Sequence, residues 1–342
     1  MVKASDGRNH IEYGLLVVNA FSDPVTLRSV TAIGPNTDKL GEVQGAKLAA
    51  ATQSLYSHDA SPVVGASAAV VVEVDLALSA KEKVPEHVSN LISYTLPAAV
   101  PSAVIVDDRV VRGPTVPIDR SRATVIAAPV AGDGWLATAA CCSPNVHRDL
   151  RLSADGLHLA TAETFAVDWA KVEGDRVYEG DGATNEQFFG FGAELLAVAD
   201  GTVVTVHDGV AESKPFASTS PQVKEGFGGN QVILKLADHV YAVYGHLQSG
   251  SITVKVGDTV KTGQVLGKLG NTGPSQGPHL HFGLLDKPDL FVGKSLPFAL
   301  KTFTIIGNVD FSASAGDTLA ISSESRMMRN AYPLYGSIVN LP

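Results

Sequence analysis

The sequence predicts a mainly β chain, an N-terminal β-sandwich over residues 1–142 followed by a compact antiparallel β domain over 143–342, and three observations predict it. The composition couples 33 glycines and 18 prolines with only 6% aromatic residues, which suits short strands joined by turns better than a helical bundle. Residues 11–140 carry a succession of Val-, Ala-, Ile- and Thr-rich runs bounded by Pro, Gly, Asp and Ser. From about residue 143 the glycines become regular, and the pattern of short strand, tight turn, short strand repeats.

In the first part the expected strands are Tyr13 to Asn19, Val25 to Ile33, Ala68 to Leu78, Ala103 to Val111 and Ala123 to Val130, with a short helix or a loop around Gly45 to Tyr56. His10, His58 and His87 stand apart from one another, so this part reads as an accessory or positioning domain. In the second part Gly201 to Val206, Asn230 to Leu236, Val240 to His246 and Ser251 to Leu269 read as strands and hairpins, with Gly257, Gly263 and Gly267 at turn positions. Between His207 and Gly229 lies a Ser/Pro/Gly-rich loop, long enough to flank a cleft. His207 and His239 read as solvated residues at strand edges. Asp200-Gly201 and Asp208-Gly209 read as turn formers, and Asn230 as a residue that fixes a turn.

The bulk numbers bound the function. With 342 residues, 45% hydrophobic and 18% charged, the chain can bury a core in each of two domains. Its net charge of −9 and pI near 5.5 repel phosphate backbones, which argues against nucleic acid as a partner. No apolar run approaches the roughly 20 residues of a transmembrane helix. The opening residues Met1 to His10 lack a signal peptide's apolar segment, which fits a mature fragment or a cytosolic protein. The two cysteines, Cys141 and Cys142, are adjacent and make no CxxC, so a thiolate zinc site is not expected. A disulfide between neighbours is strained, and the pair reads as two strand thiols facing opposite sides.

The sharpest motif is Gly270-Asn271-Thr272-Gly273-Pro274-Ser275-Gln276-Gly277-Pro278-His279-Leu280-His281-Phe282. Histidines at i and i+2 of a strand share a face, with Leu280 turned to the core, so the two imidazoles can serve one reaction centre. One can bind a metal while the other handles protons. On its own an H-x-H is common. Here it follows a glycine-rich turn and a hairpin.

Together with Tyr244-Gly245-His246-Leu247, this stretch resembles the core of the lysostaphin-type (LytM-like) peptidoglycan endopeptidases, over roughly residues 145–290. The resemblance implies one zinc ion per chain, held by a His, an Asp and the second His of H-x-H, with two further histidines beside it. Carried over, His281 and Asp168 (in Phe165-Ala166-Val167-Asp168-Trp169) are ligands, and His246 and His279 are catalytic. The sequence departs from the commonest family pattern, in which a His precedes the Asp by four residues. It resembles a branch with an insertion between the two, in which Asn145-Val146-His147-Arg148 supplies the third ligand, His147. The rival is His158, nearer Asp168 but beyond the Asp155-Gly156 turn, where alternation with Leu157 and Leu159 sends it to solvent.

Two imidazoles and a carboxylate leave an open position, acidify a water and polarise a carbonyl. We assign the base role to His279 and the oxyanion role to His246, with the reverse left open. Tyr244, two residues before His246, is expected on the same side of the strand. The implied substrate is peptidoglycan or another peptide, and the implied location is extracellular or in the cell envelope. Two other readings compete. A degenerate member of the same fold would bind the wall or regulate a hydrolase without turnover. A lipoyl- or biotinyl-like carrier is suggested by Val256 to Gln264, but it has no use for H-x-H.

Overall fold

The computed structural model describes residues 1–55, 59–98, 100, 103–104, 106, 109–142, 144–149, 151–153, 159–217 and 226–342. His58, Tyr56 and the Asp155-Gly156-Leu157-His158 stretch fall outside them. The chain divides into two compact units, Met1–Arg122 with Cys142–Asp149, and Ala123–Cys141 with Leu150–Pro342. That division runs differently from a single cut after residue 142, because residues 124–126 and 132–138 are strands of the second unit's sheet.

The first unit has two antiparallel sheets. One is Val2–Lys3, Asn9–Val18, Ala69–Leu78 and Thr52–Ser54, in that spatial order. The other runs Val116–Pro117, His87–Thr95, Val25–Ile33 and Lys39–Gln44, with Val63–Val64 and Val110–Arg112 paired at its margins. Ile11, Val70, Val72, Val74 and Leu76 of the first sheet and Val25, Leu27, Val30, Val88 and Ile92 of the second share one core. The period-2 placing of Val70, Val72 and Val74 is what lets one strand face fill it.

Among the described residues of the expected strand Ala103 to Val111, strand form begins at Val110, in Val110–Arg112, and Ala103 and Val104 lie in a helical turn. The run from Ala123 keeps strand form only over Thr124–Ile126, short of Pro129, which has no N–H for a ladder. Gly45–Ala51 is helix and Thr52–Ser54 strand. Cys141 and Cys142 are disulfide-bonded rather than free thiols. They lie in a turn, where neighbouring side chains are not forced to opposite faces as they are in a strand.

The second unit is built on a twelve-stranded sheet. At its centre Val167–Lys171 lies between Gly132–Thr138 and Leu280–Leu285, and Val240–Leu247, Asn230–Ala237 and Gly201–His207 follow outward. Beyond Gly132–Thr138 the sheet continues through Ser337–Leu341 into the long hairpin of Phe298–Ala315 and Thr318–Ala331. One face carries Trp169, Leu280, Phe282 and Tyr244, all fully buried. Phe298 stacks edge-on against Phe282 and Tyr332 beneath them. This hydrophobic floor fixes the register, because a one-residue slip would turn the whole set outward. Gly257 and Gly263 take positive φ at turns, as expected, whereas Gly267 sits in the strand Val265–Lys268, where its missing Cβ admits Leu247 and Ile252. Among the described residues no helix is long and apolar enough to cross a membrane.

Candidate metal centre

The register of the central strands puts the polar residues on the face opposite the floor. Asp168 lies directly across from His281, and His281 directly across from Gly245. Directly opposed residues share a face, so the carboxylate and the imidazole are neighbours by ladder geometry alone. Asp168 Oδ1 is 3.0 Å from His281 Nδ1, and Asp168 Oδ2 is 3.6 Å from His279 Nε2. His279 stands just before the strand Leu280–Leu285 rather than in it, yet reaches the same carboxylate.

His246 arrives by a different route. Simple alternation puts it on the same side of the strand as Tyr244, as the sequence predicts of the pair, and Tyr244 lies on the buried floor. The strand breaks alternation there. His246 takes a left-handed φ of 61°, and the ladder to Asn230–Ala237 shifts register between residues 230 and 232. Its ring then lies 4.7 Å from that of His279 and 6.1 Å from that of His281, centroid to centroid. Tyr244 stays on the other face, its hydroxyl accepting from Val198 N–H and donating to the Leu196 carbonyl. It has no place among the histidines.

His246 and His279 are each tied to a backbone carbonyl through Nδ1. His246 Nδ1–H donates to the Thr272 carbonyl at 2.7 Å, and His279 Nδ1–H donates to the Gly277 carbonyl at 2.8 Å, with Ser275 Oγ 3.2 Å away. Burial pushes His246 down to about 3, helped by the nearby His279 and His281, so its ring is neutral. With the proton on Nδ1, Nε2 of both rings carries the free lone pair.

The glycine-rich motif is the brace for this arrangement. The Thr272 hydroxyl donates to the Leu247 carbonyl and accepts from Asn230 N–H. The Asn271 amide donates to Asn185 Oδ1 and the Ser213 carbonyl. Asn230 exchanges two hydrogen bonds with the Val210 backbone and donates to Leu247. Gly229, at φ 62°, lies so close to Thr272 that a Cβ would overlap its carbonyl. The Asn230 side chain therefore fixes the backbone at Val210 and ties it to the end of the strand Val240–Leu247. Sequence reading missed Thr272 and Glu163, a carboxylate 3.6 Å from His281 Nε2. The signal for Glu163 was a lone acid in the otherwise uncharged run Thr161 to Val167.

His147 lies in the four-residue helix Val146–Asp149, in the segment that packs with the first unit. It is buried, its N–H bonded to Asn145 Oδ1. The next residue fastens it there, for the Arg148 guanidinium is buried against the carboxylates of Glu12 and Glu73. Thus Asp168, His246, His279 and His281 come together within the second unit, and His147 belongs to the first. His158 lies outside the described residues.

An ordinary tetrahedral zinc separates two of its O and N ligands by ~3.3 Å. Asp168 Oδ1 and His281 Nδ1, hydrogen-bonded at 3.0 Å, are within a few tenths of an ångström of that separation, and imidazole with carboxylate is a zinc donor set.

Residues 187–290 match the profile of peptidase family M23. The chain carries an M23 peptidase domain. His246, His279 and His281 lie inside the matched segment, as does the hairpin that also resembles half a carrier domain; Asp168 and His147 lie before it. The chain is 34% identical over 94 residues to the peptidoglycan DD-endopeptidase ShyC of Vibrio cholerae, covering 28% of this chain and 19% of that protein. It is 47% identical over 55 residues to lysostaphin of Staphylococcus simulans, 16% of this chain and 11% of that one. The matches thus span a fifth or less of these relatives' lengths. Among solved structures, the lysostaphin catalytic domain from S. simulans aligns at 26% identity and a TM-score of 0.23, over 36% of this chain and 86% of that one.

Proposed function

We propose that the M23 domain is a zinc-dependent endopeptidase that hydrolyses peptide bonds in the stems or cross-bridges of bacterial peptidoglycan. The observation that carries this reading is the convergence of Asp168, His279 and His281 with His246, which leaves its strand's alternation to join them. Asp168 and His281 of the second unit, with His147, are the proposed ligands of one zinc ion. Bound there, zinc would supply the Lewis acid that polarises the scissile carbonyl and acidifies a water.

His279 and His246 do the proton work. Each has Nδ1 tied to a backbone carbonyl, which leaves an Nε2 lone pair able to take the water's proton; a ring that has gained a proton at Nε2 can then donate to the oxyanion. Both rings hold Nδ1 to a backbone carbonyl, so His279 as base and His246 at the oxyanion is one of two assignments. The Thr272 and Gly277 carbonyls stop the rings from turning, so neither role requires reorganisation when substrate arrives. Peptidoglycan as substrate is taken from the relatives' names, and with it comes a site of action at the cell envelope or outside the cell.

The test is incubation of the purified chain with muropeptides of several cross-link types, with and without chelator. The expected result is cleavage that chelator abolishes and zinc restores. Zinc binding without cleavage of any muropeptide would favour a non-catalytic wall-binding member of the fold.

A further inference from the structure

The His281 ring has two nitrogens, and only one faces the histidine cluster. Nδ1 points at Asp168; Nε2 points the other way, at Glu163 Oε1, 3.6 Å distant. Glu163 is only 7% exposed, and among the described residues its one ion pair is with His281. A carboxylate in such a place costs several kcal/mol unless a donor meets it.

The backbone around Glu163 is fastened at three points. Its carbonyl accepts from Ala166 N–H at 2.9 Å, Phe165 N–H donates to Ser295 Oγ at 2.9 Å, and the turn lies over Gly283, whose missing Cβ leaves room for Ala166. Gly283 is on the same strand as His281, so the glycine that admits this turn also sets Glu163 beside the imidazole.

Resting on the reading of His281 as a metal ligand, we propose that Glu163 is a positioning residue that accepts the Nε2–H of His281 and so commits its Nδ1 lone pair to the metal. A neutral imidazole has one N–H, and whichever nitrogen holds it is lost as a ligand. Left alone, the ring can place that proton on either nitrogen and can rotate. A buried acceptor at Nε2 fixes both tautomer and orientation and makes Nδ1 the better donor. Glu163 touches no substrate in this scheme.

The test compares the wild-type chain with Glu163→Met, which keeps volume but removes the acceptor, and Glu163→Gln, which retains an amide oxygen for the N–H. Each is stripped of metal, and its zinc affinity is measured by titration against a competing chelator. Tryptophan fluorescence of the metal-free protein reports on folding, since Trp169 adjoins Asp168. Glu163→Met is expected to fold normally and to bind zinc 10–100-fold more weakly, with Glu163→Gln recovering part of the loss. Wild-type affinity in Glu163→Met overturns the proposal while leaving the zinc site intact. So does an equal loss in Met and Gln, which would mark simple packing. A wild-type chain that takes up no zinc overturns the zinc reading and this proposal together.

Discussion

Glu12 in the first unit should make that unit lose stability as pH rises from about 5 to 8, and Glu12→Gln should remove the effect. One guanidinium, Arg148, is buried against two carboxylates, Glu12 and Glu73. It can neutralise one. Burial pushes the other, Glu12, up to about 8 despite Arg148, from an ordinary 4.5. Between those values the folded chain holds a proton that the unfolded chain has released, so unfolding gains ground with each step of pH and the loss levels off above about 8. The full span from 4.5 to about 8 corresponds to roughly 5 kcal/mol. For a unit of this size that is a fall of roughly 15–20 °C in the unfolding midpoint.

His10, between Asp75 and Asp6, is raised despite its burial, and contributes in the same direction. Its stabilisation is complete below about 6.5 and lost as pH rises through its higher folded value. The two are separable, because only Glu12 acts between pH 4.5 and 6.5. The assay is calorimetry of the full chain at stepped pH. Both tryptophans, Trp135 and Trp169, lie in the second unit, so their fluorescence marks that unit's transition and leaves the other assigned to the first. Glu12→Gln should flatten the acid half of the slope and raise the first unit's midpoint at pH 8. An unchanged slope between pH 4.5 and 6.5 would refute the reasoning.

His281→Ala should lose zinc and turnover together, whereas His246→Ala should keep zinc and lose about 10²-fold or more in turnover; a metal-free His246→Ala would show that the roles are wrongly divided. His147→Ala should lose zinc and His158→Ala should keep it, as read by elemental analysis of each variant; the opposite result moves the third ligand to His158 and leaves the rest of the centre standing. Gly229→Ala should retain zinc but lose turnover about tenfold or more, since its Cβ would displace the Thr272 carbonyl that holds His246. Steady-state rates alongside bound zinc check it, and loss of zinc instead would mean the loop also shapes the ligand strands.

The sequence made legible whatever follows from alternation and from residue type. The Val-rich strand Ala69–Leu78 and the pairing of His281 with a core-facing Leu280 could be read directly, because period 2 is a property of the strand itself. Gly132–Thr138 was missed: it begins Gly-Asp-Gly, with both glycines at positive φ, and reads as a turn until it is seen paired on two sides. Lys39–Gln44 lacks a dense β-branched run and is held by its pairing with Val25–Ile33.

The candidate centre divides along the same line. His279 and His281 stand two apart in a strand-forming stretch, so sequence spacing speaks for them. His246 reaches the same face only through a left-handed residue and a slipped register, which no alternation rule predicts, and the rule applied to Tyr244 and His246 gave the wrong partner. Glu163 lies outside the motifs, and Thr272, though inside the glycine-rich one, carries no signal of its role there, because each meets a histidine through a contact that depends on how loops far apart in sequence are laid across the sheet. The residues that carry the proposed chemistry are therefore the ones a sequence can name, and the residues that aim them have to be found in the fold. Gly229 makes the point in its strongest form: it has no side chain at all, yet its lack of a Cβ is what lets the Thr272 carbonyl close on His246.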